Sequence, residues 1–195
     1  MRNLAESPHH FNSNTRECKA FIEIPKGGRN KFKYEPEFDS FALSGLLPQG
    51  LAFPFDFGFI PSTLGPDGDP VDIMVLMDEP THVGCLLDVR IIGVIEADQK
   101  EDGEVTRNDR VIAVATKSYG QMDVKSIEEV KKPLLDQVEE FFVSYNKSRG
   151  KEFKVRGRYG PDRAAAIIER GIAAHQSQRP NGKEASQVAG SATKR

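Results

Sequence analysis

Phe21-Ile22-Glu23-Ile24, then Pro25 and the turn-forming Lys26-Gly27-Gly28-Arg29-Asn30, then Lys31-Phe32-Lys33-Tyr34-Glu35, make up the stretch on which the fold turns. Two runs rich in β-formers on either side of a Gly-rich segment predict a β-hairpin. Side chains alternate across a strand, so Lys31, Lys33 and Glu35 share one face, Phe32 and Tyr34 share the other, and Glu23 is offered from the partner strand. Working outward, residues 72–77, 86–95 and 111–115 are rich in β-branched and aliphatic residues and bounded by Gly, Pro or Asp, which predicts three more strands. After Pro133 the period changes. Leu134, Leu135, Val138, Phe141, Phe142 and Tyr145 recur at helical spacing, with Pro133 suited to a first turn and Gly150 to a stop. A second helix is expected from Asp162, a good N-cap, through Ile167, Ile168 and Ile172. Strands followed by helices predict an α+β fold, an antiparallel OB-like β-barrel with two or so helices packed on the outside.

The 195 residues, 38% hydrophobic and 29% charged, suit one globular domain. Residues 1–18 are expected to form a flexible N-terminal arm, 19–175 the domain, and 176–195, which lack aromatic residues, a disordered polar tail. Lys+Arg 27 against Asp+Glu 29 gives a net charge of −2, so no overall field draws the chain to nucleic acid or to an acidic membrane. The only cysteines, Cys18 and Cys85, are too few for a disulfide framework and suit a reducing compartment. Residues 1–16 lack the basic start, apolar run and cleavage site of a leader, and nothing approaches the roughly 20 apolar residues of a membrane span. A cytoplasmic location is the expectation.

The sharpest chemical signal is Asp67-Gly68-Asp69-Pro70-Val71-Asp72, three carboxylates in six residues where a turn feeds a buried strand. Two unit charges about 5 Å apart repel by roughly 3 kcal/mol at an effective dielectric near 20, so such a cluster needs water or a cation. Oxygen-only donors suit Mg²⁺, which keeps octahedral carboxylate and water coordination and bridges to substrate phosphates. Gly68 permits the tight backbone path and Pro70 stiffens it. An isolated Asp-Gly-Asp is usually a solvated turn, and an isolated Lys/Glu strand face is usually solvated too. Side by side they supply ammonium groups for phosphate oxygens and carboxylates for metal and water. Phe53, Phe55, Phe57 and Phe59, in Phe53-Pro54-Phe55-Asp56-Phe57-Gly58-Phe59-Ile60, are expected to line the core, with an edge on the site. Met74 and Met77 are core by the same reading. His82 and His175 are expected at the surface.

Glu23-Ile24-Pro25, Lys33-Tyr34-Glu35, the Phe-Pro-x-x-Phe-Gly-Phe-Ile-Pro run and above all the Asp-Gly-Asp-Pro-Val-Asp hexapeptide resemble, in order and spacing, the soluble family I inorganic pyrophosphatases. The resemblance spans roughly residues 21–157. It implies Mg²⁺-dependent hydrolysis of inorganic pyrophosphate, with Asp67 and Asp72 as metal ligands and Asp69 as the general base. It implies that Glu23 and Glu35 order metal and water, that Lys33 grips a phosphate, and that Tyr145 contacts one. Arg110 takes the place of a family Lys, and Phe57 stands at a substrate-facing position usually held by Tyr. Asp98, Asp102 and Asp109 are the candidates for further metal ligands. The resemblance also implies a homo-oligomer, commonly a hexamer in bacteria, acting on a small-molecule substrate without nucleic acid or membrane.

Several positions depart from the family pattern. A phosphate-binding Arg is expected where Gly45 stands, Phe53 and Phe57 lack a hydroxyl, Asn108 falls at a metal-ligand position, and Asn146 replaces a Lys. Two other readings follow from these departures: a non-catalytic relative that binds a divalent metal or a partner, and a hydrolase of another small phosphoanhydride. No nucleophile elbow, zinc-type His pair or phosphate-cradling Gly-rich loop is present.

Overall fold

The computed structural model describes residues 3–178, so most of the expected disordered tail lies outside the described residues, and residues 176–178 are the last turn of a helix. Among the described residues the chain is sheet-dominated with two α-helices. Its strands are β1 (Glu17–Ile24), β2 (Asn30–Glu35), β3 (Ser40–Leu46), β4 (Asp56–Phe59), β5 (Asp72–Leu76), β6 (Leu86–Glu101), β7 (Glu104–Arg107), β8 (Arg110–Ala115) and β9 (Glu152–Tyr159). The helices are α1 (Lys132–Ser148) and α2 (Pro161–Gln178).

The expected hairpin does not form. β1 pairs with β4 through Phe21 to Ile24 and with β6 through Glu17 to Phe21, while β2 pairs with β3 in a separate two-stranded sheet. The Ile22 N–H and carbonyl are likewise taken, by the Cys85 carbonyl and the Gly84 N–H. The intervening turn spends its backbone groups elsewhere: Gly27 N–H donates to Phe53, Phe53 N–H to Gly28, and Leu47 N–H to Arg29. The charged face survives, because the Glu23 carboxylate accepts the Tyr34 N–H at 2.9 Å and docks β2 on β1 through a side chain.

The main sheet runs β1–β4–β5–β8–β6, and β6 pairs back to β1 while also carrying β7 and β9. The expectation of a wholly antiparallel sheet is corrected at β5–β8, which run parallel with Ile73 opposite Val111. That pairing is possible because the chain between them passes through β6 and β7, long enough for a crossover. Gly58 on β4 is fixed by close approach: a Cβ there would meet the Phe21 carbonyl oxygen at 1.8 Å.

Two helices cover the sheet on separate apolar clusters. The α1 residues Leu135, Val138, Phe141, Phe142 and Tyr145 pack with Phe53, Phe57, Met74 and Ile112. Ala164, Ile167 and Ile168 of α2 pack with Ile22, Ile73 and Ile91. Pro133 lies in the first turn of α1, and Gly150, at φ +75°, follows its end, as the sequence predicts. Asp162 is not the cap of α2 but sits in its first turn, paired with Arg16. Met74 is core, whereas Met77 is only half-buried. Of the segment read as an arm, Leu4 N–H donates to the Tyr34 hydroxyl, Lys19 N–H to the His9 carbonyl, and residues 17 and 18 belong to β1. Cys18 and Cys85 are both free thiols.

Candidate active site

A cavity of about 590 Å³ opens between the β2–β3 ribbon, the loop before β5 and the C-terminal end of α1. The loop is built by its own polar groups. Gly65 N–H donates to the Asp69 carbonyl, Gly68 N–H to the Gly65 carbonyl, and Asp69 N–H to the Asp67 carboxylate at 3.2 Å. Gly68 lies at φ +86°, where a side chain would be strained. Below it, Val71 N–H donates to Thr63 Oγ1 and anchors the loop to the buried strand. This geometry turns Asp67, Asp69 and Asp72 into the cavity.

The ribbon supplies the opposing charge. Lys31, Lys33 and Glu35 all line the cavity, as alternation along β2 predicts, and Glu23 joins them from β1. Lys33 Nζ donates to Asp69 Oδ1 at 2.9 Å, which holds the lysine above its ordinary pKa. Arg110, nearly buried on β8, reaches Asp72 Oδ2 at 2.5 Å and also donates to the Asn108 side chain. Its guanidinium lies among Phe57, Phe142 and Phe153, 5.1 Å from the Phe142 centroid, and its Nε has no hydrogen-bond partner among the described residues.

The carboxylates are under-compensated. Burial pushes the Glu23 carboxyl up to about 7, assisted by Asp72 and opposed by the Tyr34 N–H, Lys31 and Lys33. Burial likewise pushes Asp72 up to about 6 in spite of Arg110, and raises Asp67. Among the described residues no three His, Cys, Asp or Glu side chains converge on one metal-sized point, and Lys33 and Arg110 each hold one aspartate oxygen. The donor set nevertheless suits a hard divalent cation: all oxygen, clustered and partly dehydrated, with an excess of negative charge that such a cation relieves.

Nine of the residues singled out from the sequence meet here: Glu23, Lys33, Glu35, Phe57, Asp67, Asp69, Asp72, Arg110 and Tyr145. Three do not. Asp98 faces the other side of β6, where Arg156 Nε donates to it at 2.7 Å. Asp109 accepts the Ala97 N–H and pairs with Arg107. Asp102 sits at φ +50° between β6 and β7, away from the cavity. For Asp98 the cause is strand parity: β6 continues to Glu101, so alternation sends Gln99 and Glu101 into the cavity and Asp98 away. Gln99 went unnoticed in the sequence, although its period-two relation to Glu101 was the available signal. Its side chain accepts from Asn108 Nδ2 at 3.1 Å, so an amide pair lines this wall. Asn146 lines the cavity but spends its amide on the Phe142 carbonyl, and Arg149 and Lys151, just after the end of α1, line the cavity beside it.

Comparison with known proteins agrees with this geometry. A family model described as inorganic pyrophosphatase matches residues 20–176. The inorganic pyrophosphatase of a Nostoc species is 36% identical over 155 residues, covering 80% of this chain and 89% of that protein. The inorganic pyrophosphatase of Geobacillus stearothermophilus is 34% identical over 161 residues, covering 83% and 95%. The crystal structure of the Thermus thermophilus inorganic pyrophosphatase superimposes with a TM-score of 0.82 at 29% identity, covering 90% of this chain and 99% of that one. Site and likeness together place this chain in the inorganic pyrophosphatase family.

Proposed function

We propose that this protein hydrolyses inorganic pyrophosphate to two phosphates with the help of Mg²⁺. The observation that carries this reading is the meeting of Asp67, Asp69 and Asp72 with Lys33, Glu23 and Glu35 in one cavity. Asp67 and Asp72, assisted by Glu23 and Glu35, would hold the cation. When bound, Mg²⁺ supplies positive charge that acidifies water and neutralises phosphoryl oxygens. Asp69 accepts the proton of the attacking water. Lys33 occupies one Asp69 oxygen at 2.9 Å, so moving the ammonium to a phosphoryl oxygen strengthens the carboxylate as a base. Arg110 keeps a fixed positive charge at Asp72, and Phe57 with Phe142 excludes water from behind it. Tyr145, on the cavity wall, would contact a phosphate.

The pairing circuit from β1 through β4, β5, β8 and β6 back to β1 supports an OB-like barrel. Residues 19–175 would be the catalytic domain, acting in the cytoplasm as a homo-oligomer without nucleic acid or membrane partners. Among the described residues no helix is long and apolar enough to cross a membrane.

Phosphate release from pyrophosphate by the purified protein tests the proposal. Turnover is expected with Mg²⁺ and loss of turnover with chelator. Absence of turnover under both conditions, with Mg²⁺ binding demonstrated, would leave the non-catalytic reading in its place.

A further inference from the structure

Most cations that line the cavity are already committed. Lys33 is paired with Asp69, Arg110 with Asp72, and Lys151 with Glu101 at 2.6 Å. Lys31 and Arg149 differ, for among the described residues neither lies within ion-pairing distance of a carboxylate, and no hydrogen bond is formed by the Arg149 guanidinium. Both cations instead flank one ring: Lys31 Nζ is 5.7 Å and the Arg149 guanidinium carbon 5.9 Å from the Tyr145 centroid. The ring itself is fixed, stacked on Phe141 at 5.9 Å with planes 8° apart.

Two local features aim Arg149 at this place. It caps the C-terminus of α1, with Gly150 at φ +75° ending the helix directly after it. Across the gap, Gly45 on β3 faces it, and a Cβ at Gly45 would come 3.2 Å from Arg149 Nη1. Gly45 is also the register partner of Lys31, so the missing side chain leaves room for a guanidinium beside the lysine. Lys31 and Lys33 are two residues apart on one strand, roughly 7 Å along it. Among the described residues the cavity therefore holds a cation pair in contact with no carboxylate, one such step from the lysine that touches the aspartates.

We propose that Lys31, Tyr145 and Arg149 form a phosphate-binding subsite, and that Arg149 is a substrate-binding residue made possible by Gly45. It rests on the pyrophosphate reading above, and assigns to this wall the phosphoryl group that is not attacked. An unpaired guanidinium beside an ammonium suits a multiply charged oxyanion, which it can engage with two parallel N–H donors.

The test compares wild type, Arg149→Ala, Arg149→Lys, Gly45→Ala and the control Lys147→Ala, whose side chain is exposed and does not line the cavity. Two measurements are made with Mg²⁺: pyrophosphate turnover, and calorimetric binding of imidodiphosphate, which is not hydrolysed. Arg149→Ala is expected to weaken imidodiphosphate binding and raise KM on the order of 10- to 100-fold, with less change in kcat. Arg149→Lys should recover part of the loss, Gly45→Ala should show a few-fold loss by displacing the guanidinium, and Lys147→Ala should match wild type. Because Arg149 is exposed, its variants should keep the wild-type melting temperature. Wild-type-like binding and KM in Arg149→Ala would overturn the subsite and leave the pyrophosphate reading standing. A wild type that neither binds imidodiphosphate nor turns over pyrophosphate would overturn both.

Discussion

The molecule carries two clusters of carboxylates, one lining the cavity and one turned away from it, and their charge is balanced in different ways. On the face away from the cavity, Glu96, Asp98 and Asp109 are matched by Arg107, Arg156 and Arg163, each arginine reaching at least one of them. On the cavity face, Glu23, Asp67 and Asp72 are partly dehydrated with too few cations, and their carboxyls titrate above the ordinary range. Glu96 goes the other way: burial would raise it, but Arg163 and Arg107 outweigh burial and hold it below that range. Residue type therefore does not separate a structural cluster from a reactive one. The local balance of charge does.

The largest effect expected from this contrast is on turnover. Asp69→Asn removes the proton acceptor from the under-compensated cluster and should lower kcat on the order of 10²- to 10⁴-fold, measured by steady-state phosphate release. Full activity in that variant would remove Asp69 from the role of base.

A second measurement uses the sign of the titration. A carboxyl with a raised folded pKa favours the folded state while protonated. Its destabilising effect sets in as pH rises above the unfolded value near 4.5 and is complete above about 7 for Glu23. Glu23→Gln should therefore raise stability at pH 8 in chelator by about 2 kcal/mol, and flatten the fall of stability between pH 4.5 and 7 seen by urea denaturation. Saturating Mg²⁺ should cancel much of that fall in the wild type. A wild-type curve that rises through this window in chelator would break the comparison.

In the rear cluster Glu96 has the opposite sign and a smaller effect, whereas burial raises its neighbour Asp109. Because Glu96 is held low, its contribution is present above the ordinary carboxylate range and is lost as pH falls through the depressed value. Glu96→Gln should cost about 1–2 kcal/mol at pH 7, cost less in acid, and leave KM and kcat within a few-fold of wild type. A large loss of turnover with unchanged stability would show that the rear cluster belongs to the chemistry.

Much of the site was legible because it depends on short-range order. The Asp67 to Asp72 turn, the Lys33/Glu35 face and the period of α1 are set within a few residues, where alternation and turn chemistry decide direction. The pairing of β1 was not legible. Which edge a strand uses depends on β4 and β6, and the run Asp56 to Phe59 is too short and aromatic to be told from a core segment. Asp98, Asp102 and Asp109 were misplaced for a related reason. Asp98 and Asp102 lie where β6 outruns its apolar portion and turns into β7, and Asp109 lies in the link from β7 to β8, so only the continuation of β6 to Glu101 and the pairing of β7 fix where they point. The wall of Lys31, Tyr145 and Arg149 needed the register of β3 against β2 together with the end of α1, elements more than a hundred residues apart.

The two-stranded sheet of β2 and β3 has one further consequence. Its ladder is its own, so lifting it from the molecule would cost contacts such as the Tyr34 bond to Glu23, the hold of Leu4 on the Tyr34 hydroxyl, the Lys33–Asp69 ion pair and some aromatic packing, but no rung of the larger sheet. Isolated ribbons of this size are marginal in water. Sub-global opening of this ribbon therefore lies below the free energy of unfolding, and the ammonium groups of Lys31 and Lys33 travel with it. An oxyanion that bridges those lysines to the aspartate loop works as a tether between two separately bonded sheets, so ligand binding and backbone protection at β2 and β3 are thermodynamically linked.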